Sequence, residues 1–525
     1  MRKPHPGGGT EKLPMTEPAP REMRLMRASC RRGTAACPIR SCDQRGWKAE
    51  QPAGRWGGAG SPAPTLQCPS PGVLPPSLPA MAHAARLLAA LAALLAAAAT
   101  GDARPSKIAV VGAGIGGSAV AHFLQQHFGP RVQIDVFEKG TVGGRLATIS
   151  VNKQHYESGA ASFHSLSLHM QGFVKQLGLR HRREVGGRSA IFNGENFVLE
   201  ETDWYLLNLF RLWWHYGISF LRLQMWVEEV MEKFMRIYKY QAHGYAFSGV
   251  EELLYSLGES AFVNMTQRSV AESLLQVGVT QRFIDDVVSA VLRASYGQSA
   301  AMPAFAEGKP LYRVRYENEA GTGSDNYDIV VIATPLHLDN SSTIAFEGFD
   351  PPIDVVQGSF QPTVVSLVHG YLNSSYFGFP DPKLFPFANI LTTDFPSFFC
   401  ALDNICPVNI SASFRRKQPQ EAAVWRVQSP QPLLRSQLKT LFRSYYSVQT
   451  AEWQAHPVHS PHTPLPRFTL HDQLFHLNAL EWAASSVEVT AVAAKNVALL
   501  AFNRWYQDLD KIDQKDLMHK VKTEL

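Results

Sequence analysis

Three glycines at fixed spacing are the residues of this chain most suggestive of chemistry. Gly112, Gly114 and Gly117 stand in Gly112-Ala-Gly-Ile-Gly-Gly117, with Gly116 beside the last of them. The first permits a tight turn, the second lets backbone approach a pyrophosphate, and the third lets a helix close against a strand. N–H groups at the start of that helix then face the phosphates, and the helix dipole favours their charge. Glu138 stands 21 residues past Gly117, where a carboxylate accepts hydrogen bonds from a ribose, and Lys139 follows it.

The surrounding sequence supplies the elements that position these groups. Lys107–Val111 (KIAVV) reads as a short buried parallel strand, Ser118–Phe128 as a helix, and VQIDVFEK as a second strand ending in Glu138. That is a β-α-β unit, so the fold class is α/β with a Rossmann-type nucleotide domain. Beyond Glu138 come Thr141-Val-Gly-Gly-Arg-Leu146 and Tyr156-Glu-Ser-Gly-Ala-Ala161. Gly143, Gly144, Gly159 and Ala160 let backbone wrap the rest of an extended flavin nucleotide, and Arg145 is placed to pair with its phosphate. FAD is therefore the expected cofactor. The bland alternative is an ordinary glycine loop.

Nucleophiles and metal sites do not stand out: there is no G-x-S-x-G elbow, no HExxH and no zinc-ligand spacing. His164, in GAASFH beside the second glycine segment, is the one acid/base candidate, against a structural or solvent-exposed role among 18 histidines.

Composition (525 residues, 45% apolar, 18% charged) excludes a disordered or fibrous chain and allows two intertwined domains. Residues 1–80 depart from it, holding 14 of 34 prolines, 10 of 38 glycines, and 12 Lys/Arg against 5 Asp/Glu. The net charge of +5 thus becomes −2 over residues 81–525, which removes the main support for a nucleic-acid partner. Met1–Ala80 reads as an upstream extension, either ahead of the true start or a disordered tail. Met81–Thr100 has Arg86, a 13-residue apolar run Leu87–Ala99 and small residues after it, the anatomy of a signal peptide. That run is too short to span a bilayer. Sequons at Asn264, Asn340, Asn373 and Asn409 add candidate glycosylation sites for a secreted or lysosomal protein. Cys400 and Cys406, with five residues between them in the body in CALDNIC, are expected to form a short-loop disulfide.

Trp204–Tyr240 holds 11 aromatic residues in 37. Arg211, His215 and Arg222 argue against a membrane span there, so these read as core helices of a substrate domain or the lining of an apolar tunnel.

The run AVVGAGIGGSAVAHFL…VFEKGTVGGRLAT…YESGAASFH resembles FAD-dependent amine oxidases and phytoene desaturases, and more closely the prenylcysteine oxidase family, over essentially Met81–Leu525. The resemblance implies a glutathione-reductase-like FAD domain interleaved with an α+β substrate domain. It implies FAD-domain segments 106–200, 307–347 and 471–525, helical substrate residues 201–306 and a substrate sheet over 348–470. It places the strand Tyr327–Pro335, with Ala333 and Thr334, near the cofactor. It also implies that Glu481, Val489 and Thr490 lie at the flavin, where the last helix directs its amino terminus. The implied reaction oxidises a prenylcysteine thioether with O2 and water to cysteine, prenyl aldehyde and H2O2. Two alternatives stay open: a catalytically inactive secreted lipid- or lipoprotein-associated binding protein, and a flavin oxidase of amines or polyenes. At Ala306–Glu307, AMPAFA runs directly into EGKPLYRVRYEN where relatives have intervening sequence, so the chain reads as a variant lacking an interior element.

Overall fold

A computed structural model describes residues 22–25 and 104–523, apart from 184, 299–304, 307–311, 319–320, 337–343, 350–351, 354–357, 394–396 and 459–464. The chain divides into a body of residues 1–28 with 104–525 and a second unit of residues 29–103. The signal-like segment Met81–Thr100 and Asn340 lie outside the described residues.

The apolar run Lys107–Val111 becomes the second-last strand of a five-stranded sheet. Its order is Thr469–His471, Leu474–His476, Ile329–Ile332, Lys107–Val111, Gln133–Phe137. All neighbours are parallel except the outermost pair, Thr469–His471 with Leu474–His476. Ile329–Ile332 is buried along its whole length, as continuous apolar runs are when both faces of a parallel sheet are covered. Helix Ile115–Phe128 packs on one face with the nineteen-residue helix Val487–Trp505 against it. Val492, Val497 and Leu500 of the latter share one core with Val120, Leu124 and Phe128.

A seven-stranded, largely antiparallel sheet forms the second layer, with the thirteen-residue strand Phe360–Leu372 between Phe442–Pro457 and Ala423–Ser429. Its far edge is Arg188–Phe192 and Phe197–Glu200, the former parallel to Phe387–Thr392. The structure therefore moves those two strands out of the 106–200 segment assigned to the nucleotide domain. Phe192 and Phe197 pack with Phe377 and Phe387, and this aromatic contact outweighs chain proximity.

A four-stranded sheet contains a strand from the upstream region. Glu22–Leu25 lies between Tyr312–Asn318, parallel to it, and Ile344–Glu347, antiparallel. Here the structure differs from the reading of residues 1–80 as wholly disordered: Glu22–Leu25 is ordered because both flanking strands offer it ladder hydrogen bonds.

Two further expectations change. Cys400 and Cys406 are both buried and are not joined to each other in a disulfide. Extended backbone runs between them, through strand Ala401–Asn404 and the ladder bond from Ile405 N to the Val424 carbonyl. At about 3.3 Å per residue six extended residues span roughly 20 Å, far beyond the Cα separation a disulfide tolerates. The aromatic segment is helical, in Tyr205–Tyr216 and Ser219–Phe234, yet only one side of it is core. Leu212, Phe220, Leu223 and Trp226 pack around Leu274 and Phe283, while Trp204, Trp213 and Trp214 are exposed. No helix among the described residues is long and apolar enough to cross a membrane. A cavity of about 160 Å³ beside the seven-stranded sheet is lined by Tyr156, His369, Arg416 and Lys417 among others, and not by this aromatic segment.

Candidate cofactor site

The glycine loop sits at the carboxyl edge of the parallel sheet. Gly112 has φ +109°, and a Cβ there would lie 2.7 Å from the Ala333 carbonyl oxygen and 2.8 Å from Thr334 Cγ2. Only glycine lets the end of the Ile329–Ile332 strand come this close. At Gly117 an added Cβ would fall 1.8 Å from the Gly112 carbonyl oxygen, the close helix–strand contact expected of the motif. Gly116 faces Leu477 and Thr490, whose side chains would meet its Cβ at 2.8 and 3.0 Å.

The second glycine segment closes on the first. Gly114 and Gly143 run side by side as a parallel bridge, and Gly143 N donates to the Ala113 carbonyl at 3.0 Å. A Cβ on Gly144, which has φ +54°, would lie 3.3 Å from Gly114 Cα. Ala160 N donates to the Arg145 carbonyl at 3.2 Å, and a Cβ on Gly159 would lie 1.9 Å from that oxygen. Glu138 accepts from Ala113 N at 2.8 Å and Gly140 N at 2.9 Å, so its carboxylate is fixed at the loop while remaining exposed; Lys139 is exposed beside it.

Arg145 does not stand free for a phosphate. Its Nη2 pairs with Glu481 Oε1, and its Nη1 donates to the Ala455 carbonyl at 2.6 Å. Glu481 is 3% exposed at the side chain. The carboxy-terminal helix begins next to this pair in sequence, with Ser486 Oγ accepting from Val489 N at 3.1 Å and Thr490 Oγ1 donating to the Ser486 carbonyl at 2.9 Å. His164 is exposed, and its Nδ1 accepts from Leu166 N at 3.1 Å.

Several groups at the site escaped the sequence. Glu488, in the first turn of Val487–Trp505, is buried. It accepts from His169 N at 2.8 Å, Met170 N at 2.9 Å and Tyr238 Oη at 2.8 Å. It thereby caps the helix Leu168–Gln176 from a distant part of the chain. Burial, with Glu488 adding to it, pushes the Tyr238 phenol well up. His169 Nε2 lies 2.8 Å from Gln241 Oε1, and Gln241 Nε2 donates to the Val492 carbonyl. Beside Arg145, His456 Nδ1 lies 2.8 Å from Ser485 Oγ; burial and then the Arg145 charge lower its pKa to about 4. Spacing alone could not single these out, because their partners are brought in by tertiary contacts.

The segment 476–481 tests whether these residues fit a dinucleotide. Among the described residues His476 is fully buried with neither ring nitrogen hydrogen-bonded, and Asn478 Oδ1 and Glu481 Oε2 are likewise buried without partners. Buried polar atoms are almost always satisfied. Three orphans within six residues, at the same sheet edge as a glycine cradle that side chains would fill, suit a site whose remaining partner is a bound group. His476 stays neutral, its pKa lowered by burial to about 3.

A carboxyl-edge glycine loop with an acidic strand end defines a Rossmann-type dinucleotide site, and a family model for NAD(P)-binding Rossmann-like domains matches residues 110–177. The prenylcysteine lyase family model matches residues 199–308 and 306–514, and the chain belongs to that family. It is 90% identical over 492 residues to a prenylcysteine oxidase 1-like protein of Bos taurus, covering 85% of this chain and all of the relative. It is 40% identical over 477 residues to prenylcysteine oxidase 1 of Bos taurus, covering 81% of this chain and 93% of that one. Among solved structures, cyclohexylamine oxidase from Brevibacterium oxydans aligns at 10% identity with a TM-score of 0.46, covering 77% of this chain and 100% of that one. FAD is the cofactor of this site, and the chain is a flavoprotein oxidoreductase by family.

The 492 positions aligned with the 90%-identical relative occupy 85% of this chain, so that relative carries on the order of 46 residues absent here. The two family-model segments meet at 306–308, the junction at which the sequence reading placed the missing element.

Proposed function

We propose that this chain is an FAD-dependent thioether oxidase that takes prenylcysteine, or a similar lipid thioether, with a glutathione-reductase-like arrangement of its nucleotide domain. The observation that carries this reading is the convergence of Gly112–Gly117, Gly143–Arg145, Gly159–Ala160, Ala333–Thr334 and Glu481–Thr490 at one sheet edge. When bound, FAD supplies the two-electron acceptor. The carbon next to sulfur loses a hydride, water adds to that carbon, and the carbon–sulfur bond breaks to give cysteine and a prenyl aldehyde. Dioxygen takes the two electrons and two protons as H2O2.

The protein's own residues position and insulate. The amide-lined glycine loop receives the pyrophosphate. Glu138 holds a ribose, and the Arg145–Glu481 pair locks the second glycine segment to the carboxy-terminal segment. The amino terminus of Val487–Trp505 favours negative charge nearby. His456, kept neutral beside Arg145, hydrogen-bonds Ser485 ahead of that helix.

The shortened junction at Ala306–Glu307 favours a second reading for this chain: a secreted or lysosomal lipid-binding protein, free or lipoprotein-associated, without turnover. Purified full-length protein separates the two. The oxidase reading expects the visible absorption of oxidised flavin and its bleaching by prenylcysteine without oxygen, with aldehyde and H2O2 formed in air. Soluble, monodisperse, colourless protein overturns it and leaves the binding protein.

A further inference from the structure

We propose that the gap between Tyr312–Asn318 and Ile344–Glu347 is an acceptor site for an extended peptide with apolar residues at alternate positions. The chain's own Glu22–Leu25 fills it, and its occupancy braces the cofactor site. The two flanking strands do not pair with each other; each pairs with Glu22–Leu25, one parallel and one antiparallel. Ile344–Glu347 is an outermost strand and has no other strand partner among the described residues. An empty gap would leave two rows of backbone N–H and C=O groups unpaired, the template on which an added strand docks.

Register sets what the site accepts. Met23 falls opposite Val314 on one side and Phe346 on the other, and Leu25 falls opposite Ile344. Val314 and Ile344 are buried in one core with Val111, Val330 and Ile332 of the nucleotide sheet, and Phe346 packs against it. Strand residues alternate in face, so the two positions in register with this core call for apolar residues and the other two do not. Glu22-Met-Arg-Leu25 has that pattern. It lies in residues 21–32, the longest stretch of residues 1–80 free of proline and glycine, which paired strands tolerate least. The shortened junction at Ala306–Glu307 stands just ahead of Tyr312–Asn318, so residues that the 90%-identical relative carries next to this strand in the chain are absent here. A segment from elsewhere therefore takes the place beside it.

The filled sheet reaches the cofactor loop. Tyr312–Asn318 pairs on its other side with Gly321–Tyr327. Tyr316 and Tyr327 of this hairpin pack on Phe137, with ring centroids 5.0 and 6.0 Å away. Tyr327 Oη also donates to Asp135 Oδ2 at 2.8 Å. The Phe137 carbonyl accepts from Gly112 N at 2.7 Å, and the next residue is Glu138. The strand that ends at the ribose-holding carboxylate is thus supported by a hairpin whose one strand borders the acceptor site. Emptying that site loosens the support and, through it, the grip on the dinucleotide.

The test needs no turnover and stands apart from the thioether-oxidase reading. Hydrogen exchange is followed by mass spectrometry in full-length protein and in Met23→Pro, which removes a backbone N–H from a strand paired on both sides. Wild-type protein should protect 22–25, 312–318 and 344–347 together. Met23→Pro should exchange at least about tenfold faster in all three segments and keep less than about half of the wild-type flavin on purification. A synthetic peptide of residues 18–29 should bind Met23→Pro, restore protection at 312–318 and 344–347 and raise its flavin content. The same peptide should not bind wild-type protein, whose site is filled. The conservative variant M23I/L25I should keep wild-type protection and flavin, which separates loss of pairing from loss of a particular side chain. Residues 22–25 exchanging as an unstructured chain in wild-type protein overturn the proposal, whatever becomes of the proline variant. Unchanged protection of both flanking strands in Met23→Pro overturns it too, as does a peptide that fails to bind that variant. A dimer in light scattering that Met23→Pro abolishes also overturns it, giving the strand to a second copy.

Discussion

Arg145 and Glu481 are 336 residues apart in the chain and form one ion pair at the edge of the nucleotide sheet. The glutamate is almost wholly buried, its second oxygen has no partner, and the arginine is about one-third exposed. Removing one member strands the other. Arg145→Ala leaves a buried carboxylate without its cation and should cost about 3–5 kcal/mol in urea unfolding. Glu481→Gln should cost less, because it keeps the shape and removes the charge. The coupling from a double-mutant cycle checks the pair directly.

Substitutions at the glycine loop should separate steric exclusion from ordinary backbone strain. Gly117→Ala places a methyl 1.8 Å from a carbonyl oxygen that belongs to the loop itself, so flavin retention on purification should fall to background. Gly178→Ala is the control: its φ is +65° but nothing lies within 4 Å of the added carbon. It should lower stability by about 1 kcal/mol and leave the flavin spectrum unchanged.

Three histidines set an acid limit. Burial holds His127 and His456 at about 4 and His476 at about 3, with Lys495 adding to the first and Arg145 to the second. Each folded value lies below the ordinary 6.5, so the unfolded chain binds more protons between these limits. Their stabilising contribution is fully present above 6.5 and is lost as pH falls toward about 4. Urea midpoints should drop between neutral and mildly acidic buffer, and His476→Leu should flatten that slope. Unchanged midpoints across the window would exclude the effect.

Glycan occupancy should follow side-chain geometry. Asn264 and Asn409 are exposed. Asn373 Nδ2, the atom a glycan would occupy, donates to the Thr440 carbonyl at 2.9 Å. After expression in a secretory host, peptide mass spectrometry should find glycans at the first two positions and none at Asn373.

Local features were legible and non-local ones were not. The Gly112–Gly117 loop, Glu138 and the strands around them follow from backbone rules acting within 30 residues, so type and spacing sufficed. Arg145 lies beside the second glycine segment as its place in the sequence requires, and its partner is a carboxylate from the far end of the chain, which no spacing reveals. The aromatic content of Trp204–Tyr240, with its charged residues, identified core helices or a tunnel lining there. It could not say which stripe would be covered, because both sides of Tyr205–Tyr216 are apolar. The cysteines misled for a related reason: their separation fits a loop, and a strand was formed there. Glu488, a charged residue in an Ala/Val-rich helix, was the one available signal for the buried network it organises.

The strand Glu22–Leu25 bears on biosynthesis. It precedes the segment Met81–Thr100 that reads as a cleavable export signal, yet it is laid between two strands of the body. A polypeptide cut near Ala99 would leave that strand behind and open two unpaired edges, Tyr312–Asn318 and Ile344–Glu347, to self-association. Export by cleavage and the four-stranded sheet therefore belong to two different molecules, and the amino-terminal residue of the purified protein tells which of them a cell makes.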